Sequence, residues 1–293
     1  MVGIGISKLP RPPRQYRLNK IKGDLKAIVR FETLAESIEE DQRRGKLIKR
    51  AQKRFSDQFK GKLNRRARRL SDRLLSSKNG TPCPKSMASR RYMRRMRLRV
   101  HGWLWKLVEE AVAPAFVTMW RANWVISADK LVDVDPHKLI KQLRNDLSRC
   151  MPGPMKGWLF ASLHACFDSS DNTYRLHLHG QAHGDMIDRI EALRTKWPRK
   201  YLRSQGHGDT GSITIIRVQT DLPKTVTYSL QSFWNHKFFH NPTTGERQMI
   251  EQRRRIPEPY HSLALAWIDQ FRLEDMTLLI GLRCGRDGFV CAN

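Results

Sequence analysis

The chain has 293 residues, of which 55 are Lys or Arg and 28 are Asp or Glu, giving a formal net charge of +27. A surplus of that size opposes compaction unless an anion screens it, so nucleic acid is the first partner to consider and an anionic membrane surface the second. Hydrophobic residues at 40% with 8 Trp exclude wholesale disorder, and no apolar run approaches the ~20 residues of a membrane span.

The opening MVGIGISKLPRPPRQYRLNK carries no apolar signal core, so a soluble cytoplasmic protein is expected. Five cysteines (Cys83, Cys150, Cys166, Cys284, Cys291) are an odd, scattered set with no CxxC pair, which argues against a disulfide framework and against a thiolate zinc site.

From about Leu25 to Leu75 the spacing of Ile28, Phe31, Leu34 and Ile38 and the absence of Pro predict helix. Its second half is dominated by Arg65, Arg66, Arg68 and Arg69. The run Lys78-Asn79-Gly80-Thr81-Pro82-Cys83-Pro84 must end it, since Gly and two prolines cannot continue a helix. A second basic helix follows through ASRRYMRRMRLRVHGWLWKLVEEAV, carrying Arg90, Arg91, Arg94, Arg95, Arg97 and Arg99. Mixed-charge runs are ordinarily solvated helix faces, but the sign here is nearly uniform, so both sets are read as phosphate-facing, nucleic-acid-binding surfaces. Contact with a protein or membrane surface is a third reading, although no strong amphipathic Lys/Arg stripe favours it.

Beyond Pro114 the texture changes. AFVTMWRANWVI reads as a strand, PHKLIKQLRNDLSRC as a helix stopped by Met151-Pro152-Gly153-Pro154, and GWLFASLHACF and TYRLHLHGQA as two period-2 strands. DMIDRIEALRTKW has helical spacing, a Gly-rich basic loop through Gly206, Gly208 and Gly211 precedes the strand SITIIRVQT, and KTVTYSLQSFWNHK reads as a helix started by Pro223. In the tail, GERQMIEQRRRIPEP reads as loop, and Tyr260–Phe271 and Met276–Leu282 as short buried helices. The order predicts an α+β domain with a central antiparallel sheet and helices on one face, over residues 111–240. A basic helical region (1–110) precedes it and a C-terminal segment (241–293) follows.

The two period-2 runs are joined by the turn-rich segment Asp168-Ser169-Ser170-Asp171-Asn172. Centring the turn between Ser170 and Asp171 sets Leu163 opposite Leu178, Ala165 opposite Leu176 and Phe167 opposite Tyr174, a continuous apolar face. The other face then receives His177 and His179 one strand period apart, with His164 opposite His177 and Ser162 opposite His179. Three neutral imidazoles on one surface suit a borderline divalent cation with positions left for a phosphate oxygen. A pair of exposed or hydrogen-bonded histidines is the alternative. His183 lies at the strand end, and Asp168 is either an oxygen ligand or a turn former.

Cleavage of a phosphodiester also needs a nucleophile. Tyr228 is the candidate, with Lys224 one turn before it and Gln231 three residues after it on one helix face. Alternatively Tyr228 packs with Val226, Leu230 and Trp234 against the sheet.

RLHLHG resembles the His-hydrophobic-His motif of the HUH endonucleases, and the trailing Gly180 is similar to that of rolling-circle replication initiators. AFVTMWRAN resembles the family's first motif and TVTYSLQSF its third. The resemblance covers Pro114 to Lys237. It implies a palm-like antiparallel sheet with the histidine strand at its centre, and a catalytic Mn²⁺ or Mg²⁺, with Zn²⁺ a further candidate, on His177, His179 and His164. It further implies a nickase that attacks single-stranded origin DNA through Tyr228, forming a 5′-phosphotyrosyl bond. Where the family has lysine this chain has Gln231, leaving Lys224 or Lys237 to supply the charge. A non-catalytic nucleic-acid-binding module built on the same sheet is the competing reading.

Overall fold

A computed structural model of the protein describes residues 4–23, 31–151, 153, 155–197, 213–217, 222–231, 234–240 and 248–292. The glycine-rich loop through Gly206, Gly208 and Gly211 and the start of the first expected helix, including Ile28, lie outside the described residues.

The expected helix over Leu25–Leu75 is two helices. Helix α1 (Leu34–Arg54) begins at Thr33, whose side chain accepts from the Glu36 N–H at 3.2 Å while Glu36 accepts from the Thr33 N–H at 2.7 Å, a reciprocal cap. It ends at Phe55, and α2 (Gly61–Leu75) doubles back against it, burying Ala67, Leu70, Ser71 and Leu74. The crossing is close because Gly45 lacks a Cβ: one there would lie 2.8 Å from Leu75 Cγ, and Ser71 Oγ instead donates to the Gly45 carbonyl at 2.8 Å. Helix α3 (Arg90–Glu109) starts at Ser89, as the break at residues 78–84 requires.

The apolar strand after Pro114 is also two pieces, β1 (Ala115–Met119) and β2 (Val125–Ser127), separated by a 3-10 turn at Ala122–Trp124. Helix α4 (Pro136–Cys150) follows the Asp135 cap with Pro136 in its first turn, where a missing N–H costs nothing. Next come the long hairpin strands β3 (Gly157–Asp168) and β4 (Thr173–Gly184), helix α5 (Asp185–Lys196) and β5 (Ile213–Ile216).

Two expectations in the last third are corrected. The helix read through Lys224–Lys237 is only α6 (Lys224–Thr227), and the chain re-extends as β6 (Asn235–His240), which pairs antiparallel with β7 (Gln248–Arg254) where a loop was expected. After α7 (Tyr260–Ile268), the expected helix over Met276–Leu282 is instead β8 (Thr277–Ile280), continuing to β9 (Leu282–Gly285) and β10 (Gly288–Cys291). The cause is a free edge: β8 lies antiparallel along Leu159–Ser162 of β3, which satisfies its backbone groups as strand.

The main sheet runs β5-β1-β4-β3-β6-β7, with β2 on β4 and β8 on β3; the β3–β6 pairing is parallel and the others antiparallel. The protein is therefore α+β with a mostly antiparallel sheet, but helices cover both faces rather than one. On one face α4, α5 and α7 bury Leu143, Ile190 and Trp267 against Leu163, Ala165, Leu176 and Leu178. On the other, α3 packs Met93, Met96, Val100 and Leu104 with Trp158, Phe160, Val226 and Leu230. Strand β3 is consequently buried on both sides along nearly its whole length, whereas β4 alternates. Among the described residues no helix is long and apolar enough to cross a membrane.

Candidate functional site

The hairpin has the register that its side-chain alternation predicts: Leu163 faces Leu178, His164 faces His177, Ala165 faces Leu176, Phe167 faces Tyr174 and Ser162 faces His179. The three imidazoles accordingly gather, with ring centroids 4.6 Å apart for His177 and His179, 5.2 Å for His164 and His179, and 6.1 Å for His164 and His177. Gly180 lets β4 lie this close to β3, since a Cβ there would meet the Phe160 carbonyl at 2.2 Å and Ala161 Cβ at 2.7 Å.

Each ring of the HxH pair is oriented by its Nδ1. His177 Nδ1 lies 2.9 Å from the Arg175 carbonyl, so it carries the proton and donates it. His179 Nδ1 lies 2.9 Å from Thr118 Oγ1 on β1, the residue directly opposite it. These contacts aim the two Nε2 atoms at each other, 3.0 Å apart. Two nitrogens bound at right angles to one ion at ~2.1 Å would themselves be ~3.0 Å apart, so the spacing suits a shared cation. It equally suits a direct Nε2–H···Nε2 hydrogen bond, with Thr118 Oγ1 then donating to His179 Nδ1.

His164 sits beside this pair but is held differently. The Ser162 hydroxyl donates to the Ser229 carbonyl, and its oxygen lies 2.8 Å from His164 Nε2. The Gln231 N–H also points at this nitrogen, from 3.5 Å. Burial, reinforced by the neighbouring His177, lowers the His164 pKa to about 3, so the ring is neutral. Among the described residues no group of three His, Cys, Asp or Glu side chains is arranged to hold a metal ion. What the sheet offers is a two-nitrogen clamp with a third, neutral imidazole beside it.

Tyr228 stands at the end of α6 and is 44% exposed. The alternative in which it fills the core therefore falls away: Val226 and Leu230 on either side of it take that role under α3. Its ring lies 6.4 Å from that of Phe116, which in turn stacks on His179 at 5.7 Å, so one aromatic ring links tyrosine and clamp. Lys224 is exposed one turn before Tyr228. Gln231 lies beyond the helix end, and its backbone is directed to His164, so the three do not share one helical face. The side chain of Lys237 lies outside the described ones.

Two subsidiary candidates have structural duties. Asp168 is fully buried, accepts from the Ser170 N–H at 3.0 Å and pairs with Arg175 at 2.7 Å, which fixes the turn. His183 stacks on Trp158 with centroids 5.8 Å apart, two strand periods beyond His179. Sequence reasoning passed over Thr118 and Phe116, although a lone Thr in the apolar run AFVTM was a visible irregularity.

The basic helices divide. On α2, Arg65, Arg68 and Arg69 are exposed and Arg66 half-buried. On α3, Arg90 and Arg97 turn inward to Glu32: Arg90 Nε lies 2.9 Å and Arg97 Nη1 3.1 Å from its carboxylate. Those two are corrected from phosphate contacts to internal ion pairs, because burial without a carboxylate would cost more than either side chain could recover. Arg91, Arg94, Arg95 and Arg99 remain on the outer side.

Compared with protein-family models, with curated proteins and with solved structures, the chain matches none of them.

Proposed function

We propose that this chain is a DNA-binding, divalent-metal-dependent single-strand endonuclease of the HUH type. It would nick origin DNA through Tyr228 and thereby initiate rolling-circle-type replication. The observation that carries the reading is the convergence of His177 Nε2 and His179 Nε2 at 3.0 Å, with an exposed Tyr228 one aromatic ring away. A cation held there, Mn²⁺ or Mg²⁺ with Zn²⁺ a further candidate, would neutralise and polarise the scissile phosphate. The position of β4 between β1 and β3 is compatible with the palm-like sheet of that family.

In the proposed step the Tyr228 hydroxyl oxygen attacks phosphorus. An O–P bond to Tyr228 forms, the P–O3′ bond breaks, the phenol proton leaves to solvent or a neighbouring base, and the departing 3′-oxygen takes up a proton. Lys224, one turn before Tyr228, supplies positive charge beside the attacked phosphate. The Arg175 carbonyl and Thr118 hydroxyl keep the two ring nitrogens pointed inward.

Incubation with single-stranded origin DNA and Mn²⁺ should yield a covalent protein–DNA adduct that EDTA prevents. Retention of the adduct by Tyr228→Phe would remove the assigned nucleophile.

A second reading has its own support. The Nε2 atoms satisfy one another as a neutral hydrogen-bonded pair, and among the described residues no third ligand is arranged about them. The same fold would then serve as a non-catalytic nucleic-acid-binding module, with salt-sensitive binding, no cleavage and no response to chelator.

A further inference from the structure

The crotch between the N-terminal segment and the outer side of α3 holds a cavity of about 500 Å³, a volume ordinary for a ligand site. Among the described residues seven cations and no carboxylate line it: Arg11, Arg17 and Lys20 from the N-terminal turns, with Arg94, Arg95, Arg99 and also Arg91 from α3. Arg11, Arg17 and Lys20 come from the basic opening of the sequence, in which no acidic residue precedes Asp24. They are brought there by packing, since Tyr16 and Leu18 are buried with Trp103 and Trp105 of α3.

How these guanidiniums are held separates them from Arg90 and Arg97. Arg17 Nε donates to the Pro12 carbonyl at 3.0 Å and Arg94 Nε to the Glu32 carbonyl at 2.6 Å. Arg91 donates to the carbonyls of Lys78 and Thr81 at 2.9 and 2.7 Å. Neutral carbonyls orient a guanidinium without cancelling its charge, so the lining is preorganised and still cationic. Burial and the nearby Arg95 and Arg11 charges lower the Arg99 pKa, as crowding of like charges requires.

We infer that this cavity is a docking site for a stretch of single-stranded polynucleotide backbone. A single phosphate would leave most of the seven charges unmatched, whereas successive phosphodiesters bring one anion per nucleotide. Pro12, Leu34 and Leu98 add apolar walls for sugar and base, and Asn19 adds a polar amide group. The inference rests on the nucleic-acid partner proposed above but not on the imidazole chemistry, because these residues lie on the side of α3 away from the sheet.

The test is anisotropy of a labelled oligothymidylate of about 12 nucleotides, measured against salt with the full chain. The triple variant Arg11→Gln, Arg95→Gln, Arg99→Gln removes no hydrogen bond to the fold described here. It should bind more weakly, with the slope of log K against log salt shallower by about 2, as loss of three single-strand phosphate contacts requires. Cys83, in the cavity wall, should react more slowly with a thiol reagent when the oligonucleotide is bound to the unmodified chain. In EDTA, with no cation for the imidazoles, the unmodified chain should keep its slope, which separates failure of the nuclease reading from failure of this one. An unchanged slope in the triple variant overturns the site. Protection of Cys83 by inorganic tripolyphosphate but not by the bound oligonucleotide overturns the polynucleotide as its occupant.

Discussion

Helices α2 and α3 have the same Arg-rich texture in sequence and use it in opposite ways. The guanidiniums of α2 at Arg65, Arg68 and Arg69 stand in solvent, while α3 turns Arg90 and Arg97 onto Glu32 and lays Arg97 over the Phe31 ring at 4.6 Å. The difference lies in what each helix is packed between. Helix α2 needs one apolar stripe against α1, whereas α3 is enclosed by the N-terminal segment and the sheet, so part of its charge must be neutralised internally. Net charge alone therefore overstates the number of arginines ready for a phosphate.

The largest expected contrast follows directly. Arg97→Ala would leave the Glu32 carboxylate with Arg90 and take the guanidinium off the Phe31 ring, and should cost about 1.5–3 kcal/mol in urea unfolding. Arg68→Ala should stay within about 0.5 kcal/mol. Equal costs would mean that the two helices do not differ as described.

Gly180→Ala tests the hairpin that holds the imidazoles. The added methyl must displace the Phe160 carbonyl and Ala161, for a loss of about 1–3 kcal/mol in the same assay.

Acid should act through two buried histidines, His101 on α3 and His261 on α7. His101 is fully buried, and burial together with the nearby Arg97 and His164 keeps its pKa well below the ordinary value; His261 is shifted the same way, chiefly by burial. Each folded pKa lies below its unfolded value of ~6.5, so the unfolded chain binds the extra proton. Stability is complete above pH ~6.5 and falls as pH drops below it, by up to about 1.4 kcal/mol per pH unit for each ring. His101→Gln should flatten the slope between pH 6.5 and 5 in denaturant titrations buffered across that range.

The smallest stability effect belongs to the residue with the largest proposed role. The Tyr228 hydroxyl is on an exposed ring, so Tyr228→Phe should melt within about 0.5 kcal/mol of the parent while losing the DNA adduct. A large destabilisation would restore the core role for this side chain.

The legibility of the sequence follows range. The β3–β4 hairpin could be read to the residue because period-2 alternation and a short turn fix register locally, and α4 and α5 because Asp135-Pro136 and the Ile187/Ile190/Leu193 spacing are local too. Residues 276–282 were misread because a short apolar run has no period of its own; its state is decided by the edge of β3, more than a hundred residues away. Pro223 marked the start of α6, but no Gly or Pro marked its stop, which depends on contacts of Ser229 and Gln231 with Ser162 and His164. The partner of Arg97 lies 65 residues upstream, beyond any helical periodicity.

The account turns on whether the facing Nε2 atoms of His177 and His179 take up an ion. Titration with Mn²⁺ followed by the electron paramagnetic resonance of the free ion measures this without substrate or turnover. The account predicts one ion bound per chain, lost in His177→Ala, His179→Ala and retained in Tyr228→Phe. Equal uptake by the double histidine variant, or none by the unmodified protein, would contradict it and leave the imidazoles bonded only to each other.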